Sequence, residues 1–341
     1  MPAFHAIPLF FMAICLGLFC PAGAQNARID SMELDLKHPK DDTTRITLLN
    51  NLAQEYYGYD TARGMRYLEQ AREAAQAMHY VFQIANYYET KAKLLISVGQ
   101  MDNAPLLDTA IRYYEEIISE NTSPRDVVQS KLSIASCNAE KGIIFNKRGK
   151  FKEAVTLFLQ AIDGWKSSDE VGKNEAIANL YGNISTVYFD MKQPEKALEY
   201  DKAAIPYRLI DHNDEMLAMQ YLYVSDDFGL LSLYDSAFGY VRLARPLAEK
   251  VNKPSLNHYL HSRTAKLFWK RKEYPQAISF FKKCLIFLIT ELKFGVNIKN
   301  CFGINCKTCE ELIFINIDSL EPICVGNIFD TGNILYLISI C

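Results

Sequence analysis

The chain has 341 residues, of which 49% are hydrophobic and 23% are charged, and its formal net charge is −3. This apolar content excludes a disordered chain, which would be poor in hydrophobic residues. The two signs of charge are mixed along the sequence, and a nucleic-acid binder would need a basic face, so nucleic acid is excluded as a partner. The length allows two ordinary domains or one extended repeat array.

Residues 1–24 are predicted to form a signal peptide. An apolar run from Leu9 to Cys20 is followed by Pro21 and then by the small residues at 22–24. That small-x-small ending is the pattern that signal peptidase cleaves, which would leave Gln25 as the new N-terminus. The run is short for a membrane span. We therefore expect an exported protein of the periplasm or cell envelope, the alternative being an uncleaved anchor or a cytosolic leader.

Residues 25–44 are predicted as an N-terminal lead-in to a helical region over residues 45–285. Asp41, Asp42 and Thr43 close this lead-in. Aspartate and threonine accept hydrogen bonds from the first backbone N–H groups of a helix, so these residues predict a helix start.

An internal repeat is clearest between residues 142 and 162. Its signature is a small residue, an aromatic residue, a glycine and then alternating aromatic and small residues, namely Gly142, Phe145, Gly149, Phe151, Ala154, Phe158 and Ala161. We expect Gly142 and Ala154 to lie where two antiparallel helices cross, because only small side chains allow a close approach. The three phenylalanines would fill the space around the crossing. Gly149 would supply the turn between the helices, where a positive φ favours glycine.

The same spacing recurs on both sides of this copy. Two copies precede it, at Leu52-Ala53, Tyr56, Gly64, Leu68 and Ala71, and more weakly at Ala92, Leu95, Gly99 and Ala104. Three follow it, at Ser185, Tyr188, Ala197 and Ala204; at Ser225, Phe228, Tyr234, Ala237 and Ala244; and at Ala265, Phe268, Tyr274, Ala277 and Phe281. The small residue of each second helix falls at positions 64, 104, 154, 197, 237 and 277, with steps of 40, 50, 43, 40 and 40. Six copies in register argue against the alternative of a helical bundle without repeats.

This pattern resembles the tetratricopeptide-repeat (TPR) superfamily over roughly residues 45–285. The resemblance implies an all-α fold, a right-handed α-solenoid of about six TPR-like helix pairs with an irregular C-terminal tail. A leader followed by repeats of about 40 residues is more narrowly similar to the exported N-terminal TPR region of bacterial sensor histidine kinases and transcriptional regulators. In those proteins the repeats precede a membrane helix and an output domain.

Stacked helix pairs of this family form a concave groove that the first helix of each pair lines. The positions expected to face it are Lys93, Asn146, Lys147, Asn179, Asn183, Asp190, Asp226, Lys266 and Lys270. They are mixed in charge and rich in amides, which suits a protein or extended peptide whose backbone is held by side-chain hydrogen bonds. The alternative for each position is a solvated helix face. The ordered Lys/Asn/Lys/Arg set with which some family members hold a peptide C-terminus does not appear.

No catalytic motif is found: the sequence has no nucleophile elbow, P-loop, zinc-protease helix or dinucleotide-binding glycine pattern. His258 and His261 are spaced to face the same way on a helix and could hold a metal ion. No acidic or cysteine side chain adjoins them in the sequence, so we interpret them as a packed or exposed pair. The sequence therefore predicts no enzyme, no metal and no cofactor.

Residues 286–341 are predicted to be an atypical tail rich in cysteine and isoleucine. Cys301, Cys306 and Cys309 follow a C-x4-C-x2-C spacing, and Cys324 could be a fourth ligand of a zinc or iron–sulfur site. The surroundings lack the glycine-rich setting of such sites, and an exported compartment would oxidise the thiols. No apolar run in the tail is long enough for a membrane span. We interpret the tail as a truncated or frame-shifted end of a longer signalling protein.

The function predicted from the sequence is a non-catalytic protein- or peptide-binding scaffold of the bacterial cell envelope, the sensory part of a signal-transduction protein. The alternatives are an accessory subunit of an envelope enzyme or assembly complex and, more remotely, a cysteine-rich metal or redox protein acting through the tail.

Overall fold

A computed structural model describes residues 22–56, 60–120 and 123–293, and within these ranges the chain forms thirteen α-helices and no β-strand. The helices are α1 Ala22–Lys37, α2 Asp42–Tyr56, α3 Thr61–Ala77, α4 Val81–Ser97, α5 Ala104–Glu120, α6 Pro124–Lys147, α7 Phe151–Lys166, α8 Lys173–Asp190, α9 Pro194–Ile210, α10 Asp214–Leu230, α11 Tyr234–Val251, α12 Pro254–Lys270 and α13 Tyr274–Lys293. The predicted all-α fold is confirmed. None of the helices in these ranges combines the length and the apolar character that a membrane span requires.

The chain divides into two compact units, residues 1–168 and residues 169–341. Helices α1–α7 lie in the first unit and α8–α13 in the second. After α1, the helices of each unit form consecutive packed pairs: α2 with α3, α4 with α5 and α6 with α7, then α8 with α9, α10 with α11 and α12 with α13. The six predicted helix pairs are therefore confirmed.

The last four pairs share one turn of three residues between their helices. The middle residue of each turn has a positive φ: 72° at Gly149, 60° at Lys192, 61° at Ser232 and 64° at Lys272. Its N–H donates to a carbonyl three residues earlier, as from Gly149 to Asn146 and from Ser232 to Gly229. A connection this short makes the two helices antiparallel. The predicted turn at Gly149 is confirmed, and three of the pairs make the same turn without glycine.

Exchanging glycine and serine between two of these turns should move stability in opposite directions. A residue with a side chain costs about 1–2 kcal/mol more than glycine in the left-handed region. Glycine also gains more backbone entropy on unfolding than serine does, which offsets part of this difference. Ser232→Gly should therefore raise the free energy of unfolding by about 0.5 kcal/mol, and Gly149→Ser should lower it by about 1 kcal/mol. Urea denaturation followed by circular dichroism measures both. Destabilisation by Ser232→Gly would contradict the left-handed turn.

The small residues of the repeat signature lie at the helix crossings as predicted. Ala154, Ala161, Ala197, Ala204, Ala237 and Ala277 are all fully buried. At the best-conforming copy, a methyl group placed on Gly142 would lie 2.7 Å from Cε1 of Phe158. Phe158 is itself 1% exposed, so its ring fills the space that the missing side chain leaves. The other signature aromatics are less enclosed: Phe228 is buried, whereas Phe145, Phe151, Tyr188, Phe268 and Tyr274 are half-buried or exposed.

The repeat position predicted for Ala104 is wrong by one residue, because the structure places Asn103 where Ala154 lies in its own pair. The buried side of α5 includes Leu107 and Ala110, three residues apart, as positions 158 and 161 are in α7. The residue four before Leu107, which corresponds to position 154, is Asn103. Asn103 precedes the helix, and its side-chain amide donates back to the carbonyl of Gln100. An amide closing the turn thus occupies the place of the expected small residue.

Tyrosines of the first unit carry hydrogen bonds as well as apolar contacts. The hydroxyl of Tyr56 donates to Glu33 at 2.6 Å, and that of Tyr114 donates to Glu89 at 2.9 Å. A buried phenol needs a partner for its hydroxyl, and a carboxylate that accepts such bonds is in turn satisfied away from water. The first bond joins α1 to α2, and the second joins the two helices of the α4–α5 pair.

The segment predicted as a lead-in contains helix α1. Its Ile29 is 2% exposed and packs with Leu52 and Tyr56 of α2, so this helix covers the first pair. It begins at Ala22, three residues before Gln25, and the predicted cleavage there stays a prediction. Residues 1–21, which hold most of the predicted signal peptide, and residues 294–341, which hold the tail cysteines at 301, 306, 309 and 324, lie outside the described residues.

Candidate functional site

The second unit contains a solvent-open cavity of about 560 Å³. The first helices of its three pairs, α8, α10 and α12, supply all but one of the lining residues, and α9 supplies Asp201. The lining residues are Ser185, Thr186 and Phe189 of α8; Asp201; Tyr223, Asp226, Asp227, Gly229 and Leu230 of α10; and Tyr259, Arg263, Lys266, Leu267 and Lys270 of α12. Side chains from three consecutive pairs therefore meet around one cavity.

The middle of the cavity is a charged cluster between α10 and α12. Arg263 pairs with Asp226, with Nε 3.2 Å from Oδ2, and it also donates to the hydroxyl of Tyr259 at 2.8 Å. Lys266 and Lys270 follow Arg263 on the same face of α12 and also line the cavity. Burial raises the pKa of Asp226 to about 6 although the three cations favour its charged form. Asp226 is thus mainly ionised at neutral pH and is held by an ion pair.

The floor of the cavity is a pair of buried carboxyl groups, Asp201 and Asp227, which are 6% and 5% exposed. Asp201 accepts a hydrogen bond from the Ser185 hydroxyl at 2.6 Å and one from the Gln220 amide at 3.0 Å. Burial and the charge of Asp201 raise the pKa of Asp227 to about 8, and burial also raises the pKa of Asp201. Two buried carboxylates this close do not both ionise at neutral pH. One of the two therefore keeps its proton, which favours the side-chain hydrogen bond between Asp201 and Asp227.

The buried acidic residue Asp201 lies at a repeat position that is apolar in other pairs. Counted from the small residue that opens each second helix, Asp201 occupies the position of Phe158, Val241 and Phe281 in other pairs. Those residues are all buried and apolar. Arg208, one turn beyond Ala204 on the same buried side of α9, is 5% exposed and donates to Asn179 at 2.5 Å. Neither buried charge was predicted from the sequence, although both residues lie on the core-facing side of α9.

The comparisons with known proteins agree with this architecture. A family model described as tetratricopeptide repeat matches residues 134–209. The matched residues run from α6 to α9, so the α6–α7 and α8–α9 pairs are tetratricopeptide repeats. The TPR fold recurs in solved structures, although no curated protein sequence matches the chain.

Three solved structures illustrate that likeness, and at this level of identity they establish the fold alone. A signal transduction ATPase (STAND protein) with a TPR sensor from Pyrococcus horikoshii has a TM-score of 0.61 and 16% identity over 80% of this chain, and the match spans 41% of that protein. Aspartyl phosphate phosphatase F from Bacillus subtilis has a TM-score of 0.53 and 14% identity, covering 75% of this chain and 73% of that one. The BtubC (BKLC) protein of P. vanneervenii has a TM-score of 0.53 and 15% identity, covering 67% and 90%.

Of the nine predicted binding positions, the helix pairs of the second unit bring three together: Asp226, Lys266 and Lys270 line the same cavity. Asn179, Asn183 and Asp190 lie on α8, which forms one wall of that cavity, but none of the three is among the lining residues. Tyr223, Tyr259 and Arg263 also line the cavity and were not predicted, because nothing in the TPR signature marks them.

The other three predicted positions lie in the first unit. Lys93 of α4 is paired with Glu89, with 2.5 Å between Nζ and Oε1. Asn146, near the end of α6, is 9% exposed, whereas the adjacent Lys147 is exposed to solvent. Asn146 therefore belongs to the packed side of its TPR helix, and Lys147 to the solvated side. The role of these positions in binding stays a prediction.

His258 and His261 are both half-buried on α12, and burial lowers the pKa of each imidazole. A cysteine that is distant in the sequence lies beside them: the Cys284 thiol is 3.8 Å from the carbonyl oxygen of His258. The His261 ring packs against Phe280, with 5.7 Å between the ring centroids. Among the described residues no cluster of histidine, cysteine and acidic side chains could hold a metal ion.

Proposed function

We propose that this chain is a non-catalytic protein- or peptide-binding TPR scaffold of the bacterial cell envelope and the sensory part of a signal-transduction protein. The observation that carries the proposal is the cavity of the second unit, where side chains from three consecutive first helices converge. First helices are the elements from which TPR proteins build their binding groove. A cavity of about 560 Å³ accommodates a few side chains of a partner.

The arrangement of side chains in the cavity suits ligand binding better than catalysis. Its carboxyl groups are engaged by other side chains: Arg263 holds Asp226, and Asp201 is hydrogen-bonded by Ser185 and Gln220. A general base must instead be free to approach the proton that it removes. The charged side chains and the exposed aromatic Tyr223 offer directional contacts to a polypeptide, which is the kind of ligand that the TPR fold holds.

The signalling and envelope parts of the proposal have separate support. The TPR region of the similar Pyrococcus horikoshii protein is described as the sensor of a signal transduction ATPase. The apolar run from Leu9 to Cys20, with small residues at 22–24, supports export. An export assay tests this part: a reporter active only outside the cytoplasm, fused after residue 293, should be active with the full leader and inactive when residues 2–24 are deleted. Equal reporter activity with and without the leader would contradict an envelope location.

Site-specific photo-crosslinking tests the binding function in the full chain. A photoreactive amino acid at position 266 lines the cavity, and one at position 196 lies on the exposed side of α9. We expect a discrete crosslinked polypeptide from position 266 only, identified by mass spectrometry from cells that express the protein at its natural level. Identical crosslinking patterns from the two positions would contradict a binding role for this cavity.

A further inference from the structure

We propose that the cavity of the second unit takes an acidic side chain of an extended peptide, whose carboxylate Lys266 and Lys270 hold while Phe189 and Leu230 take a neighbouring apolar side chain. This inference rests on the proposed peptide-binding function and specifies the chemistry of the bound segment. It concerns an internal acidic side chain, as distinct from the carboxylate at the end of a chain.

The positive charges of the cavity lie on one helix face. Arg263, Lys266 and Lys270 are spaced by three and four residues along α12, which places them on the same side of the helix. Arg263 is committed to Asp226. Lys270 is exposed, and its Nζ lies 3.5 Å from the carbonyl oxygen of Gly229, which is longer than an ordinary hydrogen bond. A carboxylate would give this lysine a stronger and shorter partner.

The negative charges of the cavity are deeper or already neutralised. Asp201 and Asp227 are at most 6% exposed and share one proton, so together they carry one negative charge away from the opening. Asp226 is balanced by Arg263 at 3.2 Å. The three cations of the cavity therefore outnumber its remaining negative charges, and charge complementarity favours an acidic side chain over a basic one.

Exposed apolar side chains border the same cavity. Phe189 is 46% exposed near the end of α8, and Leu230 is 43% exposed at the last position of α10. Both line the cavity that Lys266 and Lys270 also line. Apolar side chains that face water beside a charged group are typical of binding sites, since a ligand removes them from water. This juxtaposition favours a segment in which an acidic residue stands next to an apolar one.

Three fluorescent peptides of one length test the proposal by fluorescence anisotropy with the full chain. The acidic peptide is fluorescein-Gly-Glu-Leu-Glu-Phe-Gly-amide, and the two controls replace both of its glutamates by glutamine or by lysine. We expect the acidic peptide to bind at least about tenfold more tightly than the glutamine peptide, and the lysine peptide to bind most weakly. A fourth peptide, the glutamine sequence with a free C-terminal carboxylate, should bind no better than its amide. Preferential binding of that fourth peptide would overturn the inference in favour of a chain terminus.

Two double lysine variants test whether the preference for the acidic peptide depends on Lys266 and Lys270. Lys266→Gln with Lys270→Gln should weaken the acidic peptide about tenfold and leave the glutamine peptide unchanged. The matched control is Lys196→Gln with Lys283→Gln, which removes the same charge from exposed positions on second helices outside the cavity. Thermal melting of both double variants verifies that they fold. Equal weakening by the two pairs would overturn the inference, because the effect would then follow net charge.

The outcomes also separate this inference from the broader proposal. Tighter binding of the lysine or glutamine peptide would overturn the acidic specificity and leave peptide binding standing. Failure of all four peptides to bind, together with identical crosslinking from positions 266 and 196, would overturn both.

Discussion

Gly142→Ala is expected to destabilise the first unit by about 1–3 kcal/mol, because the added methyl group cannot be accommodated. It would lie 2.7 Å from Cε1 and 2.8 Å from Cζ of Phe158. Phe158 is 1% exposed in a packed crossing, so its ring cannot swing into solvent to make room. The helix-favouring effect of alanine, about 0.5–1 kcal/mol, offsets only part of the clash. Urea denaturation followed by far-ultraviolet circular dichroism measures the change.

Gly182→Ala is the matched control for this prediction. Gly182 lies inside helix α8, and a methyl group there would meet no atom within 4 Å. The same substitution should therefore stabilise the protein by about 0.5–1 kcal/mol through helix propensity and unfolded-state entropy alone. Opposite signs at the two glycines would establish the close crossing at Gly142. A stabilising Gly142→Ala would show that the α6–α7 crossing is looser than the structure describes.

Asp227→Asn is expected to stabilise the second unit at alkaline pH and to have little effect under acidic conditions. Burial and the charge of Asp201 raise the pKa of Asp227 to about 8 in the folded protein, whereas an aspartate of the unfolded chain has a pKa of about 3.9. Between these two values the folded state holds a proton that the unfolded state releases. The stability that this group contributes is therefore greatest below about pH 4 and falls as the pH rises to about 8.

Asparagine removes this dependence because it has no proton to gain. Its amide can donate to the Asp201 carboxylate in place of the shared proton. We expect the variant and the parent to have similar free energies of unfolding near pH 4.5, and the variant to be more stable by about 2 kcal/mol at pH 8. Guanidinium denaturation at both pH values measures the difference.

Glu199→Gln is the control for this change of charge. Glu199 lies on the exposed side of α9, the helix that carries Asp201, so its replacement removes one negative charge without touching the pair. Its effect should stay within about 0.5 kcal/mol at both pH values. A stability difference for Asp227→Asn that did not change with pH would contradict the shared proton.

The repeats could be predicted from the sequence because their physical requirement is local and recurs. Two helices that cross closely need a small side chain at the contact, and Ala154, Ala197, Ala237 and Ala277 meet that need at steps near 40 residues. The prediction was wrong by one residue at Ala104, where α5 starts later and an asparagine closes the turn. The helix pairs did not depend on that detail, since the remaining copies fixed the period.

The candidate site was predicted only in part. First-helix positions were expected to face a groove, and Asp226, Lys266 and Lys270 do line one cavity. Asn146 was also expected to face a groove because it lies on a first helix, and yet it is 9% exposed. The place of a residue along a helix does not by itself determine whether its side chain points to the groove or to the core.

The sequence by itself determined the helices, their pairing and the small residues at their crossings, because these follow from contacts between neighbours in the chain. Only the tertiary structure decided which charges meet. Asp201 and Asp227 belong to different helix pairs, and so do Asp226 and Arg263, and no spacing rule connects them. Their pKa values and ion pairs depend on distance and burial, which arise only when the pairs of the second unit stack on one another.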